Sequence, residues 1–142
     1  MRGFSVFEIL LVVTLLIIVL VIYFPSIKSI RSSSDLITAR SSFIDSLKRS
    51  QVRAISAEND SVWGTKIEPG KITIFKGDNF TTRDRAFDEI ILISSRVNWS
   101  GLDEIYFSKL TGRTNSPGTI TFDVAGVPPA TININEQGVL DN

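Results

Sequence analysis

The sequence predicts an α+β chain: a long N-terminal helix, transmembrane at first and then amphipathic, packed on a C-terminal antiparallel β-sheet head. Three observations carry this expectation. Phe4 to Phe24 is an apolar run of 21 residues holding a single charge, Glu8, and about 20 apolar residues suffice for a helix to cross a bilayer. Between Ile27 and Ile55 apolar residues recur at helical intervals, the mark of a helix with one buried stripe. From Ser61 onward the period falls to two, and short runs are separated by glycine and proline turns.

The apolar run comes first in chain order, preceded by Met1, Arg2 and Gly3. A secretory signal would have a shorter apolar core and a small-residue cleavage site after it. Here Tyr23, Phe24 and Pro25 follow instead, so the segment is expected to remain attached as an anchor. Charge bias is contradictory, with Arg2 on one side and Lys28 and Arg31 on the other. The informative residue is Glu8. A carboxylate inside a membrane span costs about 2.5–3.5 kcal/mol near the centre and less toward an end, so Glu8 reads as functional and in need of a cation.

The string Gly3-Phe4-Ser5-Val6-Phe7-Glu8-Ile9-Leu10-Leu11-Val12-Val13 resembles the leader of type IV prepilins and type II secretion pseudopilins. The resemblance implies cleavage after Gly3 by a prepilin peptidase and N-methylation of the new terminal residue, Phe4. Glu8 matches the fifth mature residue of that family, and Pro25 the proline at position 22 that bends the helix. The leader is short, and Ser5-Val6-Phe7 departs from the commoner Thr-Leu-Ile. Elementary electrostatics points the same way. Cleavage would place an ammonium on Phe4 near the membrane depth of Glu8, and pairing between neighbouring subunits would remove the cost of two isolated charges. The resemblance therefore implies the pilin fold, other pilin subunits as partners, and an inner-membrane assembly platform.

Beyond Pro25 the stripe is expected to comprise Ile27, Ile30, Ile37, Ile44, Leu47, Ala54 and Ile55, supported by Leu36, Phe43 and Val52. Ser32-Ser33-Ser34 is a weak helix-forming stretch. Glu58-Asn59-Asp60 marks the expected end. An unbroken helix from Phe4 to Asn59 has 56 residues, about 84 Å at 1.5 Å per residue. The strand runs that follow are Val62–Ile67, Lys71–Lys76, Ile90–Ile93, Val97–Trp99, Ile105–Phe107, Thr119–Val124, Thr131–Asn135 and Val139–Leu140. Six to eight strands result. Ile90–Ile93 is continuous rather than alternating and is expected to be covered on both faces, and Pro128-Pro129 is expected to precede its strand. A head of about 82 residues is small for a self-sufficient core, so the Ile37–Ile55 stripe should complete it. The expected organisation is a leader at 1–3, a transmembrane assembly helix at 4–24, an amphipathic helix at 25–59 and a β-rich head at 60–142.

A long helix followed by many short strands, without cysteines, resembles the GspH/FimT type of minor pseudopilin, as does the end Ile132–Val139. The competing assignment is a calcium-binding major pseudopilin, for which Asp84, Asp88 and Glu89 are the available oxygen ligands; no EF-hand spacing exists.

Enzymatic readings find little support. The chain has no cysteine and no histidine, which removes thiol nucleophiles, Ser-His arrangements and the usual zinc sites. Gly101, Gly112 and Gly118 do not build a phosphate loop. Asp88-Glu89 and Asp103-Glu104 are carboxylate pairs whose adjacent members should point to opposite faces of a strand. The sequence implies no enzyme, no cofactor, no metal and no small-molecule substrate.

Charge is unevenly placed. Between Ser26 and Ile55 six basic residues face two acidic ones, giving +4; from Ser56 to Asn142 eight basic and twelve acidic residues give −4. Such a split suits head-to-stalk contacts between stacked subunits, or is simply two solvated faces. Some GspH/FimT-type proteins bind DNA for uptake, which makes a DNA-binding minor pilin one alternative. The arginines available, Arg83, Arg85 and Arg113, are scattered on an acidic head, which argues against nucleic acid as a partner. A membrane-anchored binding module that never polymerises is the other alternative. The expected function is a minor subunit that starts or tips a type II secretion pseudopilus or type IV pilus. It would sit in the bacterial inner membrane by a single pass, with its head periplasmic or extracellular.

Overall fold

Helix α1 spans Val6–Ile55 and is 50 residues long, about 75 Å at 1.5 Å per residue. A computed structural model of the chain describes residues 5–114, 116–138 and 140–141, and their side chains except those of 22–30, 140 and 141. Ser5 caps the helix: its hydroxyl accepts from the Phe7 N–H at 3.4 Å, satisfying one of the donors left free at a helix start. The helix is continuous through Pro25 and through the three serines at 32–34.

α1 ends at Ile55, four residues before the expected Asn59. Ala57, Asn59 and Asp60 all adopt positive φ, between 50° and 54°, so the chain leaves the helix at Ser56 and passes through a 3-10 turn at Glu58–Asp60. The freed carbonyls find partners: Leu110 N–H donates to Ala54 at 2.9 Å, and the Trp63 indole N–H donates to Glu58 at 2.9 Å.

Eight strands follow among the described residues: β1 (Trp63–Glu68), β2 (Lys71–Lys76), β3 (Asp84–Leu92), β4 (Asn98–Gly101), β5 (Glu104–Phe107), β6 (Gly118–Val124), β7 (Val127–Ile134) and β8 (Leu140–Asp141). They form two four-stranded sheets, β3-β2-β1-β5 and β4-β6-β7-β8, with every pairing antiparallel. Both sheets lean on the C-terminal half of α1.

The buried face of α1 keeps Leu36, Phe43, Leu47 and Ala54 of the expected stripe, with Ile44 half-buried, but is rotated away from Ile37, Val52 and Ile55; the side chains of Ile27 and Ile30 lie outside the described residues. Leu36, Ala39, Phe43, Ser46, Leu47, Ser50 and Ala54 are buried, whereas Ile37, Val52 and Ile55 are exposed. The reason is the spacing of small residues. Ala39, Ser46, Ser50 and Ala54 recur at intervals of seven, four and four and let strand backbones come close, and Ile37 and Ile55 are turned outward. Phe43 meets Phe122 of β6 edge-on at 5.5 Å. On the other sheet, the Ser50 hydroxyl lies 2.6 Å from that of Thr65 in β1, and the Ser46 carbonyl is 2.8 Å from Ser50 and 3.3 Å from Thr65. Buried hydroxyls are tolerable there because they are paired. They also fix the height of the helix on the sheet.

Two strand expectations change. β3 is an edge strand, and the Ile90–Ile93 run is covered on one face only: Ile91 and Ile93 pack on the core, while Ile90 and Leu92 are exposed. Alternation is present but invisible, because both faces carry apolar residues. Pro128 and Pro129 lie inside β7 rather than before it. Pairing slips there, with Phe122 opposite Ala130 and Val124 opposite Val127, so their missing N–H groups fall at a bulge.

Phe43→Ala should destabilise the protein by about 3–5 kcal/mol, and Ile37→Ala by less than about 0.5 kcal/mol. Urea unfolding of the two variants in detergent checks this; comparable losses would place the buried face elsewhere.

Candidate functional site

The N-terminal part of α1 stands apart from the head. Each large apolar side chain from Val6 to Val21 is between 46% and 80% exposed, so this rod has no intramolecular partner among the described residues. One face, lined by Phe7, Leu10, Leu11, Thr14, Leu15 and Ile18, forms a shallow apolar groove of about 350 Å³. Thr14 does not interrupt it chemically, because its hydroxyl donates to the Leu10 carbonyl at 2.7 Å. Glu8 is the one charged residue on the rod. It sits in the first turn, where the positive end of the helix dipole favours a carboxylate. Its N–H donates to Ser5 at 3.0 Å, and its side chain is exposed.

Gly3 and Phe4, the expected cleavage and methylation positions, lie outside the described residues, as does the Pro25 side chain. Among the described residues no helix is long and apolar enough to cross a membrane. The described apolar side chains run from Val6 to Val21, 16 residues, or about 24 Å against the roughly 30 Å of a hydrocarbon core. The span expected at 4–24 includes Phe4 and the side chains of 22–24, which fall outside that stretch.

On the head, several charges that looked available for partners are engaged within the chain. Glu89 of β3 is held by Arg49 at 2.5 Å and Arg53 at 2.8 Å, and Arg53 also lies over the Trp63 ring at 4.8 Å. Asp35 accepts from Ser94 at 3.0 Å and faces Arg96 at 3.6 Å. Part of the basic charge of the stalk and of the acidic charge of the head is thus paired within one chain.

The carboxylates considered for calcium behave likewise. Asp88 is bracketed by Arg83, whose Nε lies 2.9 Å from both oxygens; Asp84 faces Lys76 at 3.8 Å; Glu89 is taken as above. No group of metal-ligating side chains occurs among the described residues. Asp88 and Glu89 point to opposite faces, as expected. Asp103 and Glu104 do not: both reach Lys66, at 2.8 Å and 3.5 Å, because Asp103 precedes β5 and escapes strand alternation. Burial pulls the Lys66 ammonium down, and hydrogen bonds and charge from these two carboxylates outweigh it, leaving its pKa raised.

Of the three arginines weighed for nucleic acid, Arg83 is committed to Asp88 and to the Phe80 ring, 3.6 Å away. Arg85 and Arg113 are exposed, one on β3 and the other in the β5–β6 loop. That loop and Glu136 outline a polar cleft of about 470 Å³ with Ser108, Thr111, Thr114 and Pro117. Sequence reasoning missed Gln51, which pins the cleft from α1. Its side-chain amide donates to the Gly112 and Gln137 carbonyls, both at 3.0 Å. A lone glutamine on a polar helix face carries no signal that would have marked it.

An N-terminal helix packed on an antiparallel head is the arrangement of the pilin fold. The solved structure of EpsH, a minor pseudopilin of the type 2 secretion system of Vibrio cholerae, shares it, with a TM-score of 0.53 over 75% of this chain and 94% of that one, at 13% identity. At that identity the likeness establishes the fold. No family model matches the chain, and no curated protein matches it in sequence.

Because the acidic side chains of β3 are neutralised by arginine and lysine, calcium should leave the unfolding midpoint of the full chain unchanged. A real site at a hundredfold excess over its Kd would add about 2.7 kcal/mol, which thermal unfolding with and without calcium would reveal.

Proposed function

We propose that the chain is a minor pilin-like subunit that assembles, through α1, into a type II secretion pseudopilus or a type IV pilus, at its initiation or tip. The observation carrying this reading is the rod Val6–Val21, which leaves its large apolar side chains uncovered and bears Glu8 as its one charge. In water such a surface is unstable as a monomer face. In lipid, and then among the helices of other subunits, it is satisfied. The likeness to a minor pseudopilin in overall architecture supports the same reading.

The proposed sequence of events is the one that the resemblance of residues 3–13 implies. The chain enters the inner membrane by a single pass with its head outside the cytoplasm. A prepilin peptidase cleaves between Gly3 and Phe4, and Phe4 is N-methylated. The Phe4 ammonium of one subunit then meets the Glu8 carboxylate of a neighbour on the assembly platform. Desolvating either charge alone is costly, and removing one partner of a buried pair costs about 3–5 kcal/mol, so the pair selects the depth at which an incoming helix docks. Pro25 would supply a bend near the mouth of the membrane, where the rod gives way to the stalk.

Mass spectrometry of the protein from its native host should find a mature N-terminus at methylated Phe4. An intact Met1 would overturn the polymer reading and favour a non-polymerising anchored module. Glu8→Ala should leave cleavage intact and reduce incorporation into filaments at least about tenfold, the factor that corresponds to 1.4 kcal/mol; incorporation equal to wild type would remove the role of Glu8.

A further inference from the structure

We propose that the open edge of β3 is a self-association site, at which β3 of a second copy of this chain adds antiparallel to the sheet β3-β2-β1-β5. This goes beyond the assembly reading and does not rest on it. β3 is the longest strand, nine residues, and it is paired on one side only, to β2. The other edges are blunted: β4 has four residues and β8 two, and β5 is extended on its outer side by a bridge from Phe107 to Thr114. An unpaired strand edge offers a row of free N–H and C=O groups to another strand.

Which groups are free follows from one hydrogen bond. Ile93 N–H donates to the Gly70 carbonyl at 3.0 Å. Antiparallel bonding alternates, so Ile91 and Glu89 bond to β2, while the backbone groups of Ile90 and Leu92 point to the open edge. The same two residues carry exposed side chains, 55% and 80% accessible. Elsewhere the outer face of this sheet is covered. The β2–β3 loop folds back and sets Phe80 edge-on to Phe75 at 5.4 Å, and Phe75 lies over Gly64, where a Cβ would collide with its ring. The cover stops short of Ile90 and Leu92.

The pattern favours a second copy as occupant. In an antiparallel pair centred on Ile91, Ile90 of each copy stands opposite Leu92 of the other, so the apolar pair repeats about a two-fold axis, the commonest symmetry of homo-oligomers. Between Asp88 and Ile93, and on Lys71 opposite Leu92, no unpaired charge opposes this contact. Asp88 is neutralised by Arg83, Glu89 by Arg49 and Arg53, and Lys71 by Glu68 at 3.1 Å. The chain as a whole has formal charge 0, so two copies approach without mutual repulsion. Four or five residues a side bury less than the roughly 1,000 Å² of a stable interface; the contact is weak and reversible.

The chain has no cysteine, which permits a test specific to register. Ile90→Cys and Leu92→Cys are made separately in the full chain, purified in detergent, mixed and mildly oxidised. The register brings the two positions to about 5.5 Å between Cα atoms, within disulfide reach, and holds identical positions roughly 7–8 Å apart. The mixture should link several-fold more than either variant alone. Adding Leu92→Lys to the first variant and Ile90→Lys to the second, both at exposed positions, sets two lysines face to face and should return linking to background. Equal linking by the single variants, no linking in the mixture, or indifference to the lysines would each overturn the proposal.

Discussion

Neither sheet of the head has a second layer of its own, and the structure depends on one element supplying that layer to both. The C-terminal half of α1 does so with a face of alternating bulk. Phe43 and Leu47 fill the space between the sheets, while Ala39, Ser46, Ser50 and Ala54 keep strand backbones near the helix axis. A head of this size buries too little surface to stand alone, so the helix is an internal part of the domain. The hydroxyl pair Ser50–Thr65 adds direction to a contact that apolar packing leaves free to slide. Separating Thr65 from the helix would cost its buried hydroxyl both Ser50 and the Ser46 carbonyl, and an unpaired buried hydroxyl costs about 1–3 kcal/mol.

This coupling explains how one helix serves two surroundings. Within the head, α1 is held by packing, by Arg49 and Arg53 on Glu89, and by Asp35 against Ser94 and Arg96. Toward its N-terminus it has no protein neighbour among the described residues, and its surface there is apolar on all sides. Because the helix is continuous, a force or displacement on the rod is delivered to the core of the head without a hinge in the β region. The polar clamps lie on the head side, where water can reach them, and the rod keeps the single carboxylate Glu8.

Much of this organisation was legible in the residues. The change to amphipathic spacing and the fall to period two placed most elements within a few residues, and each strand run overlaps one of β1 to β8, although β3 begins six residues and β7 four residues before the expected run. Rotation of the helix was not legible, because the isoleucines at 37 and 55 outweigh alanine and serine on any hydropathy scale, while close approach selects the small residues. The end of α1 was misplaced because Ala57 carries no turn signal although its φ is 50°. β3 was misread because alternation cannot be seen where both faces are apolar. For the candidate site, Glu8 was evident from its isolation, whereas the pairing of Asp84, Asp88 and Glu89 with cations from β2, its following loop and α1 depends on tertiary neighbours that no local pattern encodes.

The distribution of satisfied charge bears on how the molecule selects partners. The opposite signs of stalk and head suggested recognition by complementary fields, yet Arg49 and Arg53 of the stalk meet Glu89 of the head inside one chain, and other head charges pair among themselves at 3 Å or less. Charge already engaged in this way has little left for a second molecule, since each new contact must first desolvate or displace an existing pair. Two of the surfaces that remain open are apolar: the rod, and the edge of β3 at Ile90 and Leu92. These differ in kind. The rod is a helical surface that packs sidewise against other helices or lipid, and the strand edge bonds through its backbone to another strand. A molecule with these two surfaces can hold one partner by each at once, because the head separates them along α1.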